Sequence, residues 1–152
     1  MPSAKIIRFI HLERSRKYFL VEALVALAVS SAAVRFLPFR RAVRMGSRKL
    51  SGKATGDRGE AVRDARWSIE AAAAAAPWRA VCLQQGLALQ WMLRRRGIDA
   101  LLHYGLAKEK ERGLEAHAWV AVGDNLVIGG EIASKFRCDA TFPEVQTAMT
   151  AR

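Results

Sequence analysis

Cys82 and His117 are the two residues whose types and spacing suit nucleophilic chemistry. Cys82 follows Pro77-Trp78 and opens the run 81–96 (VCLQQGLALQWMLRRR), which is apolar on nearly every face until its arginines. Such a run is a central, buried helix. The first N–H groups of a helix lack intrahelical acceptors. They carry the positive pole, favour a thiolate there and can donate to an oxyanion. The competing reading of Cys82 is a small apolar core residue. His117 opens the stretch His117-Ala118-Trp119-Val120, and a strand there would fix the imidazole to take a proton from a neighbouring thiol. His103, in a strand of its own, is the rival base, and a half-buried structural histidine is the plain reading of either. Gln84, Gln85, His103 and Trp119 are the candidates to line the cleft or hold an oxyanion.

The elements that must position these residues follow from local pattern. Residues 5–17 mix basic and apolar side chains and predict a short amphipathic helix. Residues 18–37 (YFLVEALVALAVSSAAVRFL) predict a buried helix ended by Pro38, with a peripheral membrane helix as the alternative. Its uninterrupted apolar stretch is shorter than the roughly 20 residues a spanning helix needs. Residues 39–57 are basic, hold three glycines, and read as a linker. Residues 58–76 are helix formers stopped by Pro77. Gly97 ends the Cys82 helix. Strands are expected at 100–107, 116–122 and from 126 to 128, with a charged loop at 108–115 and a turn at Gly123-Asp124-Asn125. The tail past Phe136 reads as irregular or weakly helical. The division expected is 1–57, a basic arm, apolar helix and linker, and 58–152, the domain that carries the site.

The chain of 152 residues is about one domain's worth. Its formal charge of +11 is concentrated at the front: residues 1–58 hold 13 Lys/Arg against three Asp/Glu. Such asymmetry points to a polyanion, an anionic membrane face or an acidic protein, or simply to a solubilising arm. The arm lacks the finger, heptad or aromatic signatures of nucleic-acid readers, so no nucleic-acid partner is expected. Two Cys exclude a disulfide scaffold and a zinc site built from four cysteines, and three His leave little for a metal centre. A cytoplasmic location is expected.

Cys82-Leu83-Gln84-Gln85-Gly86-Leu87-Ala88-Leu89, then Leu93-Arg94-Arg95-Arg96-Gly97-Ile98, Leu102-His103-Tyr104-Gly105 and His117-Ala118-Trp119-Val120 resemble the leader peptidases of lasso-peptide biosynthesis. These are transglutaminase-like cysteine proteases, here of the microcin-processing type in its short stand-alone form. The resemblance implies an α+β, papain-like fold with a buried Cys-bearing helix packed on a small antiparallel sheet, plus N-terminal helices. It implies removal of the leader from a ribosomally made precursor, so that a cyclase can close the macrolactam. Cys82 would attack the scissile carbonyl, His117 would move the proton, and the Cys82 N–H would help hold the oxyanion. The partners implied are the precursor (leader) peptide, a small leader-recognition protein and an asparagine-synthetase-like cyclase. No metal or organic cofactor is implied.

The family pattern places an Asp about a dozen residues after the His, and here that neighbourhood reads Ile128-Gly129-Gly130-Glu131. A hairpin turning at 123–125 pairs residues whose numbers sum to roughly 247–249, which sets His117 opposite 130–132. Glu131 is then the nearest carboxylate, with a surface charge as its other reading. Asp124 lies at the turn, too far along the strand. Without Glu131, a main-chain carbonyl or the amide of Gln84 or Gln85 must orient the ring. Two other functions stay open: a non-catalytic transglutaminase-like peptide-binding module, and a peripheral membrane or polyanion-binding protein driven by residues 1–53, with weak membrane association at the inner face through residues 1–37.

Overall fold

The computed structural model describes residues 13–48, 52–53 and 56–144. The expected helix over 5–17 and the end of the tail therefore lie largely outside the described residues. Four helices come first: α1 (Arg14–Phe36), α2 (Phe39–Ser47), α3 (Arg58–Ala75) and α4 (Cys82–Arg95). Strands β1 (Ala100–Glu109), β2 (Gly113–Val122), β3 (Asn125–Ile128) and β4 (Arg137–Phe142) follow, with a 3-10 turn at Gly130–Lys135. The sheet is four-stranded and antiparallel in the order β3-β2-β1-β4. The expected α+β class is what the chain adopts.

α1 buries Ala23, Ala26, Leu27, Ser30 and Ala33 on one side. These small residues let the helices approach closely, and Ser30 Oγ donates to Gln84 O of α4 at 2.9 Å. Glu22 is also buried, with its carboxylate taken by the guanidinium groups of Arg95 and Arg96. A buried carboxylate without partners would be strongly destabilising, so this triad locks α1 to the end of α4. Asp57 caps α3 by accepting from Gly59 N at 2.8 Å. α4 ends in a Schellman turn: Gly97 N donates to Arg94 O at 3.0 Å and Ile98 N to Leu93 O at 3.1 Å.

α4 packs on the sheet through Gly86, where a Cβ would come within 2.8 Å of Leu102 Cδ1. Any larger residue there would have to push the Leu102 side chain aside. Gln90 of α4 donates to Ala100 O at 3.2 Å and Phe142 O at 2.7 Å, stitching the helix to β1 and β4. One core contains Leu27 and Val43 from the first third together with Ile69, Leu89, Leu93, Leu102 and Val120. It therefore runs across the 57/58 boundary.

Three elements differ from expectation. Residues 39–47, read as linker, form α2, because Ala42, Val43 and Gly46 recur at helical spacing and are buried. The loop at 108–115 is shorter: β1 reaches Glu109 and β2 starts at Gly113, so the hairpin projects past the core with charged, exposed residues that carry no apolar alternation. The tail after Phe136 contains β4, which pairs with β1 at the far edge. Its residues Arg137–Phe142 are exposed or half-buried, so burial leaves little mark on the sequence.

Candidate functional site

Cys82 is the first residue of α4, half-buried at the margin of the core. The loop before it is tied down by the helix it leads into. Val81 N donates to Gln84 Oε1 at 2.8 Å, and Gln85 Nε2 donates to Ala80 O at 2.8 Å. Both glutamines thus brace the loop that carries the thiol. The first intrahelical bond at this end is Gln85 N to Val81 O at 3.1 Å. The N–H groups of Cys82, Leu83 and Gln84 precede it and keep the positive pole beside the thiol.

His117 is 8% exposed. Its Nε2 lies 2.8 Å from Gly129 O. A carbonyl can only accept, so Nε2 carries the proton and Nδ1 of the neutral ring is the basic nitrogen. Gly129 sits at φ +73°, the left-handed region, and a Cβ there would lie 2.7 Å from Ala118 O and 3.2 Å from Nε2. The backbone conformation that aims this carbonyl is one glycine adopts without penalty. The ring is flanked by Trp119 and Phe136, with centroids 6.0 and 5.1 Å away.

Glu131 does not orient the ring. It lies in the 3-10 turn with its carboxylate 69% exposed and 3.5 Å from Arg66 Nη2. The expected register sum is found where the strands pair, at Val120–Ile128, Ala121–Leu126 and Val122–Asn125. Pairing stops there. Past Ile128 the chain turns across the sheet, so no strand residue faces His117 from β3. Asp124 lies exposed at the hairpin turn.

Cys82 Sγ and His117 are not joined by a hydrogen bond. The β1–β2 register is uniform, and it sets Leu102 and Val120 on the face that Gly86 of α4 touches. Alternation then gives His103, Gly105, His117 and Trp119 to the other face. The chain from Gly129 to Arg137 crosses that second face: Phe136 packs on His117, and a Cβ on Gly105 would lie 2.7 Å from Arg137 O. His117 lies in β2 beyond the residues that pair with β3, covered by the chain at Gly129 and by Phe136.

The second face holds an arrangement that sequence reasoning missed. His103 Nδ1 lies 2.9 Å from Thr141 Oγ1 and 3.7 Å from Cys138 Sγ. Trp119 stacks between the two imidazoles, 5.7 Å from His103. Burial pushes the His103 pKa below its ordinary value of 6.5. An open groove of about 960 Å³ beside it is lined by Phe39, Arg40, Arg44, His103, Thr141 and Phe142, among others. Cys138 could have been paired with His103 from sequence only by first placing β4. Gly129 acts through its backbone, which leaves no side-chain signature.

The pattern of the transglutaminase-like superfamily matches residues 23–138. The chain belongs to that superfamily. The match starts within α1, includes Cys82 and His117, and ends in β4 at Cys138. The helices followed by a four-stranded antiparallel sheet fit the papain-like arrangement of the superfamily, whose members are usually cysteine peptidases or transglutaminases. No curated protein and no solved structure matches the chain.

Proposed function

We propose that the protein is a cysteine peptidase that removes the leader from a lasso-peptide precursor, with Cys82 as nucleophile and His117 as base. The observation that carries the reading is the His117 Nε2–Gly129 O bond of 2.8 Å. Gly129 stands a dozen residues after the His, where leader peptidases of this kind place an Asp, and its carbonyl takes over the task of fixing the tautomer. Nδ1 is left to accept the Cys82 proton. The thiolate then attacks the scissile carbonyl, and the tetrahedral oxyanion lies against the Cys82 N–H and the helix pole. The imidazolium returns the proton to the leaving amine, and water hydrolyses the thioester. This requires Sγ to come within reach of Nδ1 when peptide fills the site, as catalytic hydrogen bonds often tighten in the complex.

The reading takes a leader-recognition protein and an asparagine-synthetase-like cyclase as partners in the cytoplasm, and needs no cofactor. Mass spectrometry of a precursor peptide incubated with the protein and its leader-binding partner tests it. Leader and core should separate with wild type and stay joined with Cys82→Ala. A second reading, a peptide-holding module without turnover, is favoured by one observation: the missing hydrogen bond between Cys82 and His117. Tight precursor binding with no cleavage under any partner combination would decide for it.

A further inference from the structure

We propose that α1 and α2 form a surface that seats the protein on an anionic phospholipid bilayer, with α1 lying in the plane of the membrane. The observation begins with the two sides of α1. One buries Glu22, Ala23, Ala26, Leu27, Ser30 and Ala33. The other carries Tyr18, Val21, Leu24, Val25, Val29 and Phe36, all large, apolar and exposed, at 65, 51, 37, 53, 47 and 77%. At helical spacing these six fall on one continuous stripe, and at about 1.5 Å per residue it is roughly 27 Å long. Ala28 and Ala32 fill its gaps. A stripe of this length is far more than scattered surface apolar residues account for.

Charge decides the occupant. Between Glu22 and Asp57 the sequence has no Asp or Glu, and Glu22 itself is buried against Arg95 and Arg96. The stripe runs from Arg14 at one end to Arg35 at the other, and α2 with its C-cap adds exposed Arg40, Arg41, Arg44 and Arg48. α2 is continuous with the stripe: Val29 and Met45 line one apolar groove between α1, α2 and α4, and Met45 lines a second with Arg41, Arg44 and Arg48. An apolar face with aromatic residues near its ends and cations beyond them fits the boundary between acyl chains and anionic headgroups. α1 passes the length and hydropathy test for a spanning helix. Spanning would pull Glu22 out of its two ion pairs and α1 out of the core, so the helix lies on the membrane rather than crossing it.

Vesicle co-sedimentation of the full chain tests this, with phosphatidylcholine alone and with phosphatidylcholine mixed with phosphatidylglycerol. Binding should be strong only with phosphatidylglycerol. High salt should weaken it without removing it, because the apolar part is not screened. Val25→Asp with Val29→Asp should cut binding at least about ten-fold while far-UV circular dichroism and melting stay unchanged. Arg41→Gln with Arg44→Gln, both exposed, should lower affinity by a similar factor, since a cation near the surface is worth about 1 kcal/mol. The proposal fails if wild type ignores phosphatidylglycerol vesicles, if high salt abolishes binding entirely, or if both double variants bind like wild type. It also fails if light scattering shows a dimer that Val25→Asp with Val29→Asp splits, since a second copy would then cover the stripe.

Discussion

The two thiols lie on opposite sides of the same sheet while both imidazoles share the second face, and each thiol has what the other lacks. Cys82 has the helix N-terminus and its N–H groups but no imidazole in hydrogen-bond contact. Cys138 has an imidazole at 3.7 Å but lies exposed on an edge strand, with no helix end behind it. The rings differ in the same way. His117 is held by a carbonyl at Nε2, which leaves Nδ1 as the base. His103 has Nδ1 engaged by a threonine hydroxyl, so its corresponding nitrogen is already occupied. Proximity of sulfur to nitrogen is therefore a poor guide to the nucleophile here. Acyl transfer needs oxyanion donors and a base with a free lone pair; the N-terminus of α4 has the donors, and His117, on the other face of the sheet, has the free Nδ1.

The sharpest way to break this comparison is to remove each thiol. Cys82→Ala should reduce precursor cleavage by at least about a thousand-fold, because losing one member of a catalytic unit costs nearly the whole effect. Cys138→Ala should leave turnover close to wild type. The reverse pattern, with turnover lost in Cys138→Ala alone, would assign the chemistry to Cys138 and His103. The histidines repeat the contrast. His117→Ala should be almost as damaging as Cys82→Ala, whereas His103→Ala should cost stability and only modest activity, read from cleavage rates beside melting curves.

Gly129 comes next in expected size. Gly129→Ala places a Cβ 2.7 Å from Ala118 O and 3.2 Å from His117 Nε2, on a backbone at φ +73°. The left-handed conformation alone costs about 1–2 kcal/mol for a residue with a Cβ. The melting temperature should drop by about 2–8 °C. Activity should fall by about ten-fold or more, since a shift of the ring that orients the proton transfer is felt directly in kcat. A stability loss with full kcat would show that the carbonyl serves the turn and not the imidazole.

How much of this was legible beforehand depends on what each residue does with its side chain. Cys82 at a helix start, the buried α4 and the strands on either side of the 123–125 turn all follow from apolar periodicity and turn residues, and the structure has them. β4 and α2 did not stand out. β4 pairs at an edge without burying an apolar face, and α2 is a short helix whose buried positions are Ala, Val and Gly among arginines. The site divides along the same line. Gln84 and Gln85 look like cleft amides in sequence, yet their side chains fold back on the loop at Ala80 and Val81. Extending the hairpin register points to Glu131, but that register holds only as far as Ile128. The group that orients His117 is a main-chain carbonyl, and no residue type announces one.

A smaller effect at His103 is read from the pH dependence of stability. Burial lowers the His103 pKa below 6.5, so the unfolded chain takes up this proton before the folded one does. The stability that the neutral ring contributes is complete above about 6.5 and is lost as the pH falls from there through the folded value. Urea midpoints measured from pH 7.5 down to 5 should decline for wild type, and the decline should be shallower for His103→Gln. Equal slopes in the two proteins would mean that the ring is freely solvated.

The smallest expected effect belongs to Glu131, and it tests whether a carboxylate or a carbonyl holds the His117 ring. Its carboxylate is 69% exposed and its partner Arg66 is 43% exposed, at a separation of 3.5 Å. Arg66 also holds Glu70 at 2.9 Å, so it does not lose its only carboxylate when Glu131 changes. Exposed pairs of this kind are worth about 0–1 kcal/mol. Glu131→Gln should therefore melt within a degree or two of wild type and cleave at the same rate. Asp124→Asn, at the far end of the hairpin, should be equally silent. A loss of several orders of magnitude in Glu131→Gln with the fold intact would mean that the 3-10 turn swings its carboxylate onto the ring during turnover, and that Gly129 O is only a resting partner. A large loss in Asp124→Asn would instead overturn the β2–β3 register on which the placement of His117 depends.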